Sequence, residues 1–294
     1  MGRMRITMAF VGMLALAGAI PATAAETTAV AVTGSSVSGG IVALTGTLAF
    51  GDDATGPILV GEDPEGDAAV SGVGVDFGDV TISTNPVSRR LTYAIEVYDM
   101  LPGLGQSGPA YGYTLPIAVD GDDTAVRFLA AGNAGANFPP AAGPWRALCT
   151  APAGSYSCPT PLAGTMDAGG ITIQLPYSSA GIQPGSVVEP GSAVGCGGGI
   201  CTTVWAGVLF NNTGGDNGFL VGYKVPGEVK VGIAPAGTPP DQVAASTVAT
   251  VNADGTWTAS LAAPGPGQHI VVARSCWGNV ESLRCASGSA TVTV

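Results

Sequence analysis

Residues 91–98, Leu-Thr-Tyr-Ala-Ile-Glu-Val-Tyr, alternate a large apolar side chain with a smaller or more polar one. A period of two puts Leu91, Tyr93, Ile95 and Val97 on one face of an extended chain, and Thr92, Ala94, Glu96 and Tyr98 on the other. This pattern most constrains the fold, because it recurs along the chain between Gly and Pro breaks. It returns in TTAVAVTG (27–34), GGIVALTGTLAFG (39–51), DVTISTN (79–85) and GITIQLPYSS (170–179). Residues 111–132 read as a hairpin with Asp-Gly-Asp-Asp (120–123) as its turn. Pro116 in its first arm marks an edge or a bulge. Residues 203–210 are apolar enough for a strand buried on both sides. Gly (46) and Pro (22) are abundant, Lys and Glu are scarce, and no amphipathic helix is legible. The fold class expected is all-β: two tandem β-sandwiches, a large jelly-roll-like or Ig-like one followed by a small Ig-like module.

The amino-terminal segment reads as a leader. Arg3 and Arg5 precede the apolar run 6–20, and Pro21 and Ala22-Thr23-Ala24-Ala25 follow. That is the layout of a secretory signal peptide. The run falls short of the ~20 apolar residues of a bilayer span. The divisions expected are 1–25 signal peptide, 26–225 large sandwich and 226–294 Ig-like module. An extracellular location follows, without membrane insertion after cleavage. Without Arg3 and Arg5, 8 basic residues face 21 acidic ones, a net charge of −13. Such a surface repels nucleic acid.

Cys149, Cys158, Cys196, Cys201, Cys276 and Cys285 form an even set, and in an exported chain disulfides are the default. Neighbour pairing (149–158, 196–201, 276–285) is the expectation. A zinc site at Cys196 and Cys201 is the alternative, but no CxxC pair and no nearby His supports it.

Residues 226–294 are similar to bacterial Ig-like modules of extracellular proteins. The resemblance rests on Asp254-Gly255 in a turn, Trp257 just beyond it, the strand G-x-H-x-V-x-A-R (267–274) and the terminal TVTV (291–294). It implies that Trp257 and Val271 are core residues, and it places His269 in a strand. Residues 42–224 resemble the β-sandwich domains of the DOMON and family-9 carbohydrate-binding-module group, through DPEGDAA (63–69), VDFGDVTISTN (75–85), RRLTYAIEVYDM (89–100) and YTLPIAVDG (113–121). That resemblance implies sugar, haem or no known ligand. Haem needs Met or His. This segment has no His, and beyond the leader its Met residues are Met100 and Met166, which argues against haem.

The inventory also argues against hydrolysis. His269 is the sole histidine and no G-x-S-x-G occurs. Glycoside cleavage needs only two carboxylates, and Glu96 with Asp99 supplies a pair in number, although two surface carboxylates is the plainer reading. Sugar binding needs aromatic platforms. Tyr111 and Tyr113 share a strand face and are the candidates, against the competing expectation that aromatics fill the core. Residues 60–79 carry six carboxylates and no base. Ca²⁺ takes 6–8 oxygens, so Asp63, Asp67 and Asp76 are the candidate ligands, although the spacing is not that of an EF-hand. Asp52-Asp53 and the 120–123 turn are further acidic turns. The expected function is that of a non-catalytic extracellular structural, adhesion or binding protein, not an enzyme. Its partners would be a cell-surface or extracellular glycan or protein. No cofactor beyond a Ca²⁺ candidate is expected. A carbohydrate-binding module is the alternative.

Overall fold

The computed structural model describes residues 27–62, 76–98, 112–132, 145–150, 157–167, 170–191 and 219–294. The strands of the first half are β1 (Ala29–Ser38), β2 (Ile41–Ala49), β3 (Ile58–Glu62), β4 (Asp76–Asn85), β5 (Arg90–Tyr98), β6 (Gly112–Val119), β7 (Asp122–Gly132) and β8 (Trp145–Thr150). Next come β9 (Ser157–Pro161), β10 (Met166–Asp167), β11 (Gly170–Pro176), β12 (Val187–Pro190), β13 (Phe219–Leu220) and β14 (Tyr223–Lys224). The last are β15 (Lys230–Pro235), β16 (Thr247–Val248), β17 (Thr250–Val251), β18 (Thr256–Ala262), β19 (Gln268–Asn279) and β20 (Arg284–Thr293). Among the described residues helix is limited to single turns, α1 (Asp52–Thr55), α2 (Tyr177–Ala180) and a 3-10 turn at Pro240–Gln242. The chain is all-β.

Both predicted turns are present, with one difference. At 120–121 the hairpin closes through Asp120 (φ 53°) and Gly121 (φ 74°), the left-handed pair of a type I′ turn. At 254–255 only Gly255 (φ 81°) is left-handed. Asp254 instead uses its side chain, accepting hydrogen bonds from the Thr256 amide (2.9 Å) and hydroxyl (2.7 Å). A carboxylate that caps the turn removes the need for a second positive φ.

The smaller sandwich is discontinuous in sequence. Its first sheet has the order β1-β2-β18-β17, and β15, β19 and β20 face it. β2 pairs with β18 from Thr47↔Thr256 to Ile41↔Ala262. The core joins Val42, Leu44 and Leu48 of β2 to Val231, Trp257 and Val271, with Trp257 and Val271 fully buried. Gly46 lies in register with Trp257, where a Cβ would collide with the indole and with the Ala31 carbonyl. The boundary read at 225/226 places residues 29–49 with the larger unit, yet their ladder and core lie with the carboxy-terminal strands. The reason is physical: β18 buries Trp257, Ala259 and Leu261 on one face, and it needs an edge partner to complete its ladder.

The larger sandwich packs a six-stranded sheet, β10-β11-β5-β4-β3-β13, against β14, β12, β6, β7, β8 and β9. The face predicted for β5 is the buried one: Leu91, Tyr93, Ile95 and Val97 all lie in this core. So do Leu115, Ile117, Leu129 and Leu148 from the opposing sheet.

One strand belongs to both sandwiches. The amino-terminal part of β19 pairs with β15, from Pro235↔His269 to Lys230↔Arg274. Its last residues pair with β14, Lys224↔Gly278 and Tyr223↔Asn279. Strands of both sandwiches thus form one ten-stranded sheet. On the inward face of β19, Val271 and Ala273 enter the small core and Trp277 enters the large one. Ser275 lies between them, 1% exposed, its hydroxyl without a hydrogen-bond partner among the described residues.

Candidate functional site

The candidate Ca²⁺ residues are only partly placed. Asp63 and Asp67 lie outside the described residues, and Asp76 opens β4 in register with Tyr98. The other acidic turns have structural work. The Asp53 carboxylate accepts the Thr28 amide (2.8 Å) and hydroxyl (2.7 Å), which anchors the start of the small sandwich to α1. The Asp120 carboxylate accepts the Val187 amide (2.8 Å) and the Ser186 hydroxyl (2.8 Å), which docks β12 against the β6–β7 turn. Each of these carboxylates thus accepts from one backbone amide and one hydroxyl of the chain itself. Among the described residues no three His, Cys, Asp or Glu side chains gather as a metal site would require.

Tyr111 lies outside the described residues. Tyr113 stands in β6 opposite Ala131, two positions before the core residue Leu115. Five of the described aromatics are core. Tyr93, Tyr177, Tyr223, Trp257 and Trp277 are each at most 3% exposed. Tyr223 shares a hydrogen bond of 2.7 Å with Thr84, and burial pushes its phenol up to about 12. Met166 is partly buried against the large core. Glu96 is exposed and folds its carboxylate over Gly78, while Asp99 and Met100 lie outside the described residues.

His269 is buried, and its Nε2 lies 3.0 Å from the Gly265 carbonyl. A carbonyl only accepts, so the proton is on Nε2, and Nδ1 is left unpartnered. This imidazole ties β19 to the loop before it.

Two of the three expected disulfides are present, Cys149–Cys158 between β8 and β9 and Cys276–Cys285 between β19 and β20. Cys276 and Cys285 are direct cross-strand partners with Cα atoms 4.1 Å apart. Cys196 and Cys201 lie outside the described residues. Structural disulfides belong to an oxidising compartment. Among the described residues no helix is long and apolar enough to cross a membrane.

A cleft of about 410 Å³ opens on the outer face of the shared sheet, where the sandwiches meet. The alternation that buries Val271, Ala273 and Trp277 turns Val272, Arg274 and Cys276 into it. Val187 and Gly232 continue the floor. One wall is the segment 243–245, which lies so close over β15 that a Cβ on Gly232 would meet the Ala244 carbonyl. The other wall is the β19–β20 turn, with Val280 39% and Leu283 45% exposed.

The charges of this cleft run against those of the chain. Lys224, Lys230 and Arg274 line it, and among the described residues Glu228 is the one lining carboxylate. Glu228 lies 3.2 Å from the Lys224 ammonium and 3.5 Å from that of Lys230. Lys224 also donates to the Gly185 carbonyl at 2.9 Å. Arg274 donates to the Pro240 carbonyl at 3.3 Å, and no carboxylate of the described residues lies within 4.0 Å of it. Lys230 and Arg274 are direct cross-strand neighbours. Like charges directly opposite each other destabilise a sheet.

Sequence reasoning did not single out these cations. They are 50 residues apart at the extremes, and only the ladder brings them together. The available signal was compositional: of the 8 basic residues beyond the leader, 3 fall in 224–274 and turn out to line one cleft. No protein-family model matches the chain, and a search of curated proteins finds no match.

Proposed function

We propose that the chain is an exported, non-catalytic protein of structural, adhesion or binding type, which works as one body outside the cell. The observation that carries this reading is β19, whose two ends enter two cores and which makes one sheet of both sandwiches. A shared strand leaves no linker to flex at that point, which suits a part that must hold its surfaces at fixed separation. The disulfide Cys276–Cys285 ties the same strand to β20. The leader-like segment before residue 26 supports export, and the acidic balance of the chain favours contact with proteins or glycans over nucleic acid.

The test is retention of the full chain, freed of residues 1–25, on intact cells. The expected result is saturable binding that rising salt reverses, with no turnover of generic glycosides. Turnover that is lost in Glu96→Gln would replace this reading with an enzyme. A glycan array compared with the Tyr111→Ala/Tyr113→Ala variant separates the carbohydrate-binding alternative, which requires binding that those changes remove. Melting with millimolar Ca²⁺ decides whether Asp63, Asp67 and Asp76 hold a cation, because a ligand of the native state raises its melting temperature.

A further inference from the structure

We infer that the cleft at the seam is a binding site for a small amphiphilic carboxylate, an acid whose apolar body lies on Val272 and between the two walls. The inference rests on the reading of the chain as a non-catalytic binding protein and names a ligand class for it. Three observations converge. The first is shape: the cleft is enclosed on two sides, by 243–245 and by the β19–β20 turn, and its volume of about 410 Å³ falls within the ~300–1,000 Å³ of small-molecule sites. The second is lining: Val187, Val243, Val272, Val280 and Leu283 present an apolar interior to which an aliphatic or aromatic body can surrender its hydration.

The third is charge. Two cations directly opposite each other on β15 and β19 are a cost to the folded chain, and Glu228 reaches only the lysine side of the cleft. Arg274 keeps a planar fork of donors with a single carbonyl partner. A carboxylate at the mouth of the cleft relieves the repulsion and uses that fork, and such charge-assisted bonds are about twice as strong as neutral ones. A cationic ligand would add to the repulsion. Glu189 stands beside Val187 and Val280, near Gly222 at the far end. The anion is therefore expected at the Lys230–Arg274 end, with the apolar body extending toward Leu283.

The experiment uses the full chain without residues 1–25 and titrates octanoate, octanol, octyltrimethylammonium and acetate, read by calorimetry and by melting temperature. The expected result is saturable binding of octanoate at one site, with octanol and acetate each at least about tenfold weaker, a difference of one charged or apolar contact, and no binding of the cation. In Lys230→Gln/Arg274→Gln octanoate affinity should fall about tenfold or more, while the melting temperature without ligand changes little, because the like-charge pair goes together with the Lys230–Glu228 ion pair and the Arg274–Pro240 hydrogen bond. Retained affinity in that variant overturns the proposal, as does octanoate that never saturates or acetate that binds equally well. A synthetic peptide of residues 60–79 that binds the wild type where octanoate does not would overturn it in favour of a contact between copies. Cell retention that persists when octanoate fails removes this site and leaves the broader function standing.

Discussion

The indole N–H of Trp277 donates to the backbone carbonyl of Asp53 at 2.9 Å, across 224 residues of sequence. The same short helix holds Thr28 through the Asp53 carboxylate. α1 is thus the point where the start of the small sandwich, the entry to the large one and the end of β19 meet. Trp277→Phe deletes the donor and the pyrrole half of the buried indole, leaving the Asp53 carbonyl with the weaker Arg284 contact at 3.3 Å. A loss of about 2–4 kcal/mol, cavity and hydrogen bond together, is expected in urea denaturation. No change in midpoint would mean that the contact is incidental.

Ser275 makes a prediction of opposite sign. Its hydroxyl is buried between the two cores without a partner. Desolvating a polar group without compensation is unfavourable, so Ser275→Ala should raise stability, by about 1 kcal/mol. A loss of stability would show that the hydroxyl has a partner in solution, such as a bound water.

Alkali should destabilise the protein through the large core. Burial pushes the Tyr223 phenol up to about 12 and those of Tyr93 and Tyr177 above the ordinary tyrosine range, with Tyr223 adding to the rise in both. The unfolded phenols titrate near 10.0, so the folded state holds more protons in the window above that value. Stability is therefore complete below pH 10 and declines as pH rises from about 10 toward 12. In an absorbance titration these 3 of the 7 tyrosines should ionise only with unfolding. Free ionisation of all seven near pH 10 with the fold intact would contradict the buried cluster.

A fragment of residues 226–294 should not fold. It carries Trp257, Val271 and Val292, but it lacks Val30, Val42, Leu44 and Leu48, which complete the core. It also leaves β18 without its partner β2. Circular dichroism and proton spectra are expected to show a disordered chain. A folded fragment would mean that the amino-terminal hairpin is an accessory.

Local rules made much of this fold legible. Alternation grouped the side chains of β5 that prove buried, and Asp-Gly-Asp-Asp at 120–123 marked a hairpin that closes in two residues, 120–121, because both depend on neighbours in sequence. Trp257 and Val271, expected in the core, are fully buried. What stayed hidden depends on partners far apart. The pairing of β2 with β18 joins residues more than 200 apart, and either strand alone looks like any half-buried strand. The cleft was equally hidden, since Lys230 and Arg274 become neighbours only when β15 pairs with β19. The structural role of two acidic turns was hidden for a related reason. Carboxylate density is visible in sequence, whereas the amides that Asp53 and Asp120 satisfy are supplied by Thr28 and Val187, 25 and 67 residues away.

Shared possession of β19 makes the two sandwiches one cooperative body, and scanning calorimetry of the chain from residue 26 onward tests this most directly. A single transition is predicted, with calorimetric and van't Hoff enthalpies in agreement. Two resolved transitions, one of which survives when the other half has melted, would contradict it.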